Sequence, residues 1–421
     1  MNSKNAGIYR WLAVFALTFC GTTLHAQTAY DKEYPEIGYG KVAPQDNFSQ
    51  RMQALADEGK VLDFEGDGSG FLKSLLTALE IDPASQVLVF SKTSLKQRFI
   101  SPEMPRSLFF NDEVYVGFVP GSRTLEVGAM DPQLGPVFFD FSQEPEANPR
   151  FEQETSRCLR CHDSYSMTGG GVPRFLLNSV VAGADGNLVS HELSEITDTS
   201  TPLDKRWGGW YVTSKPGAPQ HRGNLIVTDV SVVANPHLVG PGSTETLDQF
   251  VDLKAYPRAT SDIVALLVLE HQVELQNRLT RLSFESRIKL EREGAIDSAT
   301  LDTLTQPVLE SLFMAHETPL ISAVEGTSGF REYFEAQGPK DAKGRSLRQF
   351  DLETRTFKYP LSYLIYSSAV DALPVSVKQH LFGRIKAVLT GADDAAYPNL
   401  NADTRTAISE ILQATKPEIL Q

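Results

Sequence analysis

Cysteine is scarce in this chain of 421 residues, which contains only three. Cys20 lies in a short apolar stretch near the start, while Cys158 and Cys161 lie together nearer the middle. Once a leader that contains Cys20 is removed, two thiols are left, which are too few for a disulfide framework or a four-cysteine zinc site. The scarcity excludes both classes of protein and makes the remaining pair the residues to explain.

Positive charge is also in deficit. The 39 Lys and Arg residues are outnumbered by 53 Asp and Glu residues, which gives a formal net charge of −14 at pH 7. An acidic surface repels nucleic-acid phosphates and anionic membrane lipids, so we expect neither as a partner. A basic redox partner protein is compatible with this charge, although acidity alone identifies none.

No apolar run reaches the roughly 20 residues that a membrane-spanning helix needs. The most apolar segment, residues 11–20, follows Lys4 and Arg10 and precedes Leu24-His25-Ala26. A basic start, a short apolar stretch and a small residue at the cleavage point are typical of a secretory signal peptide. We therefore predict that residues 1–26 are a signal peptide, that the mature protein has no transmembrane anchor, and that it is periplasmic. A retained anchor is the alternative.

The two central cysteines belong to the sequence Cys158-Leu159-Arg160-Cys161-His162. C-x-x-C-H is the attachment sequence of c-type haem: the two thiols form thioethers with the haem vinyl groups, and the histidine binds the iron. We predict one haem c, held covalently by Cys158 and Cys161, with His162 as an axial ligand of the iron. The alternatives are a chance match and a redox-active dithiol, which is expected near the start of a βαβ unit rather than after a polar stretch.

The sequence leaves several candidates for the ligand on the other face of the iron, because methionine is missing where small cytochromes have it. They place a methionine tens of residues after the motif, whereas this chain has none between Met167 and Met314. Met167 is only five residues past His162, too close to wrap over the haem. Met104 and Met130 lie upstream of the motif and are kept as candidates.

Histidine is the other candidate for this sixth ligand. His221 lies in a predicted loop beside Gly223, where an imidazole could approach the iron, and we predict it as the distal ligand. The alternative is a surface histidine. His271 falls on the apolar side of a predicted helix, so a hydrogen-bonded core residue is the simpler interpretation, with a distal ligand as the alternative.

The sequence predicts an α+β fold in three parts. Residues 27–145 form a mixed α/β region with a helix over 71–79, a hairpin of strands 114–119 and 124–130, and a strand over 137–141. Residues 146–245 form a loop-rich haem-binding region. It contains short strands over 207–211 and 224–228.

Residues 250–421 are predicted to be mainly helical. Ser261 is a predicted cap for a long helix that runs to about Arg292. Pro374 begins a further helix, since proline is tolerated in the first turn. Residues 402–415 form the last helix.

The chain also resembles a family of large, uncharacterised bacterial exported proteins with a single haem and a cytochrome c domain. The segments that carry this resemblance are Ser91-Lys92-Thr93, Asp131-Pro132-Gln133-Leu134-Gly135-Pro136, Cys158-Leu159-Arg160-Cys161-His162, Arg206-Trp207-Gly208-Gly209-Trp210-Tyr211 and Leu269-Glu270-His271-Gln272. The resemblance covers most of the chain after residue 26. It implies one covalent haem but no particular reaction.

These observations predict a periplasmic cytochrome that transfers electrons to or from a redox partner protein. Iron would alternate between ferric and ferrous states at a potential that the distal ligand and burial adjust. Two alternatives remain open. One is a haem enzyme, for example peroxidase-like, with an open position on the iron, and the other is a haem-based sensor.

Overall fold

The computed structural model describes residues 34–45, 62–145, 151–164, 171–235, 237–392 and 396–421. The predicted signal peptide and Met167 lie outside these ranges. The prediction of an α+β fold is confirmed: an antiparallel sheet occupies the N-terminal part and helices the C-terminal part. Among the described residues, no helix combines the length and apolarity needed to cross a membrane.

A six-stranded antiparallel sheet follows one helix, α1 (Leu72–Ala78), in the N-terminal part. Its strands lie side by side in chain order. They are β1 (Val87–Val89), β2 (Arg106–Phe110), β3 (Val114–Phe118), β4 (Thr124–Asp131), β5 (Gly135–Ser142) and β6 (Phe151–Gln153). The predicted hairpin is confirmed, because β3 and β4 pair with Val116 opposite Val127. The turn between them contains Gly121 at φ +80°, a value that glycine adopts without strain.

The haem motif forms a short helix, α2 (Leu159–His162), after this sheet. A three-stranded sheet follows, in the order β8, β7, β9. Its strands are β7 (Asn178–Gly183), β8 (Leu188–Ile196) and β9 (Ile226–Val227).

Two predicted strands in this region differ from the structure. The strand over 207–211 is wrong, because Trp207 and Gly209 have φ of +64° and +80°, which turns the chain out of an extended path. Trp210 makes only an isolated bridge to Val89. The strand over 224–228 shrinks to β9, because Asn224 is also left-handed at φ +63°.

The C-terminal part is helical, as predicted. Its helices are α3 (Ile263–Glu293), α4 (Ser298–Leu312), α5 (Phe330–Ala336), α6 (Ser368–Asp371), α7 (Val375–Leu389) and α8 (Ala402–Thr415). The predicted cap of α3 is off by one residue. The carboxylate of Asp262 accepts hydrogen bonds from the N–H groups of Val264 and Ala265. Ser261 instead bonds to the backbone of Leu88 and Tyr211.

One large hydrophobic cluster joins the six-stranded sheet, the motif and the helices, and a second, smaller cluster lies around Phe90 and Tyr211. The large cluster extends from Ile37 to Ile419 and includes Leu159 of the motif and Leu275 of α3. The 31-residue helix α3 is central to it, because buried residues lie along most of its length. It packs against α4 and against β5. The haem motif is therefore attached to the main core of the protein.

A buried ion pair fixes α3 to the segment that follows β8. Nη1 of Arg206 donates to the carboxylate of Glu270 at 2.9 Å, and both side chains are at most 2% exposed. Arg206 also donates to the carbonyls of Thr199 and Thr201, and Glu270 accepts a hydrogen bond from Thr197. These extra hydrogen bonds are what a buried charge pair requires to offset its desolvation.

Candidate functional site

The motif is folded as a single helical turn that separates its apolar side chain from its reactive ones. The N–H groups of Cys161 and His162 donate to the carbonyl of Cys158, at 3.2 and 3.1 Å. Residues three apart are neighbours on a helical turn, so the two thiols lie on the same side of it. Leu159 is buried in the core, Cys161 is exposed and Cys158 is half-buried, and the two thiols form no disulfide bond. Both thiols therefore remain available for covalent attachment.

The imidazole of His162 is held in a defined orientation. Its Nδ1 lies 2.6 Å from the backbone carbonyl oxygen of Arg174, and the N–H of Arg174 donates to the carbonyl of His162 at 2.8 Å. The ring also packs on Phe138 of β5, with 4.5 Å between ring centroids. A carbonyl can only accept, so Nδ1 carries the proton and Nε2 keeps its lone pair. This is the tautomer that a histidine needs to bind a metal through Nε2.

The protonation states of the motif fit a metal ligand better than a redox dithiol. Burial lowers the pKa of His162 to about 4, so the ring is neutral and able to bind iron at neutral pH. Burial, together with the nearby carboxylates of Glu126 and Glu154, raises the pKa of Cys158 to about 12. A dithiol that attacks disulfides needs a thiol with a lowered pKa. The environment of Cys158 has the opposite effect.

The residues present therefore fit a c-type haem. The structure brings together two free thiols on one helical turn and one imidazole that is neutral and unprotonated at Nε2. The second hydrogen bond of that imidazole, to a backbone carbonyl, is the partner that most metal-binding histidines have. Sequence reasoning singled out Cys158, Cys161 and His162, but it did not predict the contacts of His162 with the carbonyl of Arg174 and the ring of Phe138. The backbone carbonyl of Arg174 leaves no signal in side-chain identity.

His221 is buried in its own hydrogen-bonded environment. Nε2 lies 2.8 Å from Oγ of Ser243, and the ring centroid lies 5.5 Å from that of Trp207. Burial lowers its pKa to about 4, so the ring is neutral. In the described part of the chain these contacts link His221 to the loop around Ser243 and to Trp207, and none links it to the motif. Its assignment as the distal ligand stays a prediction.

The structure also places the other candidates for the distal ligand. His271 is buried, with Nε2 2.7 Å from Oγ of Ser362, which agrees with a hydrogen-bonded core residue. Met130 is buried, and its sulfur lies 3.9 Å from the hydroxyl of Thr280. Met104 is 42% exposed.

Comparisons with known proteins supply no family. The chain matches no protein-family model, no curated protein and no solved structure. Within the described ranges, no cluster of three or more His, Cys, Asp or Glu side chains is arranged to hold a metal ion.

Proposed function

We propose that this protein is a periplasmic c-type cytochrome that carries one covalently attached haem and transfers electrons. The hydrogen bond from Nδ1 of His162 to the carbonyl of Arg174 carries the proposal, because it leaves Nε2 unprotonated beside two free thiols. When bound, the haem supplies a one-electron couple between ferric and ferrous iron, at a potential that depends on the axial ligands and on burial.

Each residue of the motif has a separate task in this proposal. Cys158 and Cys161 hold the haem through thioether bonds, and His162 binds the iron through Nε2. Leu159 anchors the turn in the hydrophobic core, so the attachment point does not move relative to the protein. Phe138 packs against the imidazole and limits its rotation.

The signal peptide, the periplasmic location and the resemblance to exported single-haem cytochrome c domain proteins are parts of the same proposal. They fit together because in bacteria c-type haem is attached outside the cytoplasmic membrane. A chain with this motif and no route of export would have no means of acquiring its cofactor.

A haem enzyme or sensor with an exchangeable position on the iron is the second candidate function. The observation in its favour is that three distal candidates already have partners. His221 is bonded to Ser243, His271 to Ser362, and the sulfur of Met130 lies near Thr280. An iron with no strong sixth ligand would bind small molecules such as carbon monoxide or peroxide.

The first experiment tests covalent attachment. The full chain is expressed with and without a c-type haem maturation system, and the absorption of the protein is measured after acid extraction of non-covalent haem. We expect one haem per chain to be retained, and to be lost when Cys158→Ser and Cys161→Ser are combined. Ser164→Ala, two residues past His162, is the control and should retain it. A wild-type chain that retains no haem would overturn the proposal.

The second experiment separates electron transfer from ligand chemistry. Absorption spectra are recorded for the ferric protein, the ferrous protein and the ferrous protein with carbon monoxide. A low-spin ferrous spectrum that carbon monoxide does not change supports electron transfer. A high-spin ferric spectrum with rapid carbon monoxide binding supports the enzyme or sensor.

A further inference from the structure

Two consecutive residues connect the motif to helix α3. Arg174 uses both of its backbone groups on His162: its N–H donates to the carbonyl of His162, and its carbonyl accepts from Nδ1. Phe175 uses both of its backbone groups on the side chain of Asn277. Its N–H donates to Oδ1 at 2.8 Å, and its carbonyl accepts from Nδ2 at 2.9 Å. Asn277 is thus separated from His162 by two adjacent, fully hydrogen-bonded backbone units.

Side-chain packing follows the same route. The ring of Phe138 lies against His162, and the ring of Phe175 lies edge-on to Phe138 at 5.8 Å between centroids. Tyr115 packs on the other side of Phe175 at 4.6 Å. A shift of the backbone at Phe175 would therefore move both the hydrogen-bond acceptor of His162 and the ring on which the imidazole rests.

Burial of the Asn277 amide costs free energy of folding unless both of its hydrogen bonds are made. Asn277 is 7% exposed and lies in the middle of the largely buried helix α3, where an unsatisfied amide would destabilise the fold. The geometry satisfies both amide atoms with the peptide groups of one residue. A leucine of nearly the same shape would fill the space but would leave Phe175 unfixed.

We infer that Asn277 is a positioning residue for the axial histidine: it fixes Phe175, and through it the carbonyl of Arg174 that orients His162. The inference rests on the proposed function. A strong hydrogen bond from Nδ1 makes the imidazole a better electron donor, which stabilises ferric over ferrous iron. Loss of Asn277 loosens this hydrogen bond, so the reduction potential rises.

The test compares two buried amides that make the same kind of contact. Gln86 also holds both backbone groups of one residue, Arg258, with its Nε2 donating to the carbonyl and its Oε1 accepting from the N–H. Asn277→Leu and Gln86→Met each remove such a pair of hydrogen bonds, and Gln86→Met also removes one to the carbonyl of Thr260. Of the two amides, only Asn277 is linked to His162. The haem-loaded proteins are titrated with redox dyes, and the Nδ1 proton of His162 is followed by NMR in the ferrous state.

We expect Asn277→Leu to shift the ratio of ferric to ferrous protein at a fixed solution potential about threefold to tenfold toward ferrous. A tenfold change corresponds to about 59 mV for one electron. The Nδ1 proton of His162 should move upfield as its hydrogen bond weakens. Gln86→Met removes three hydrogen bonds and should lose at least as much stability, with neither change.

The outcomes separate this inference from the proposed function. If the wild-type chain retains no covalent haem, the proposed function fails and the inference fails with it. If haem is retained and Asn277→Leu leaves both the potential and the Nδ1 proton at their Gln86→Met values, Asn277 is purely structural and the inference is overturned.

A second variant and a second measurement keep the test decisive. If Asn277→Leu does not fold, Asn277→Ser takes its place, because serine is smaller and keeps one polar atom. In the chain without haem, amide hydrogen exchange at Arg174 and Phe175 should be faster in the Asn277 variant and unchanged in the Gln86 variant. Unchanged exchange at both residues would overturn the inference without any reference to haem.

Discussion

The Nδ1 atom of His162 lies 2.6 Å from the carbonyl oxygen of Arg174, twelve residues further along the chain. This contact decides which nitrogen carries the proton, because the carbonyl can only accept. It also orients the ring, since the N–H of Arg174 returns a hydrogen bond to the backbone of His162. The motif thus contains an imidazole held in the tautomer that a histidine needs to bind a metal through Nε2.

The first prediction concerns this imidazole. In the haem-loaded protein, His162→Gly should leave the haem attached, because the thioethers do not depend on the ring, but should remove the axial ligand. Added imidazole should then restore the wild-type absorption spectrum. His316→Gly is the control, because His316 is a 65% exposed side chain. A His162→Gly spectrum identical to wild type, before any imidazole is added, would show that His162 is not a ligand.

The second prediction tests whether His221 binds the iron. If it does, Nε2 must leave Ser243 when haem is present, so the hydrogen bond exists only in the haem-free chain. Ser243→Ala should then lower the free energy of unfolding by about 1–3 kcal/mol without haem and by much less with it. Urea denaturation of both forms measures the difference. An equal loss in both forms would mean that His221 stays bonded to Ser243.

The third prediction concerns the buried pair of Arg206 and Glu270. Arg206→Met leaves the carboxylate of Glu270 buried without its cation, so we expect a loss of about 3–5 kcal/mol in the free energy of unfolding. Lys215→Met breaks an exposed pair with Glu245 and should cost less than about 1 kcal/mol. Urea denaturation compares the two. Similar losses for both variants would contradict the role assigned to burial.

The fourth prediction concerns pH. Burial lowers the pKa of His271 from 6.5 to about 4, so the unfolded chain binds this proton more readily than the folded one. Stability from this residue is complete above about pH 6.5 and is lost as the pH falls toward 4, by up to about 3 kcal/mol. His271→Gln, which can still bond to Ser362, should flatten this part of the stability profile. An unchanged slope between pH 6.5 and 4 would contradict it.

The sequence predicted the regular parts of the fold well because apolar spacing determines them. The hairpin of β3 and β4 and the helix α8 appear where the pattern places them, since the hairpin strands are almost wholly buried and α8 buries one face. The prediction of a strand over 207–211 is wrong. Its aromatic residues favour strands, but Trp207 and Gly209 adopt left-handed backbone. Tertiary packing imposes that conformation, and residue type alone does not reveal it.

The residues of the candidate site also differ in how far the sequence could predict them. Cys158, Cys161 and His162 could be found from spacing, because the chemistry of attachment fixes both the residue types and their order. The carbonyl of Arg174 could not, since every residue offers the same backbone group. Asn277 lies more than a hundred residues from the motif, and only the fold brings its amide to Phe175.

The continuity of the hydrophobic core determines how far the haem segment can be transplanted. A fragment cut to residues 146–245 would retain the two thiols and His162. It would lose Phe138, which supports the imidazole, and Asn277, which fixes Phe175. Small cytochromes can be transferred into other proteins as complete units. Here the attachment turn is instead part of a fold several times its size. Any attempt to engineer a minimal version must rebuild both supports from new sequence.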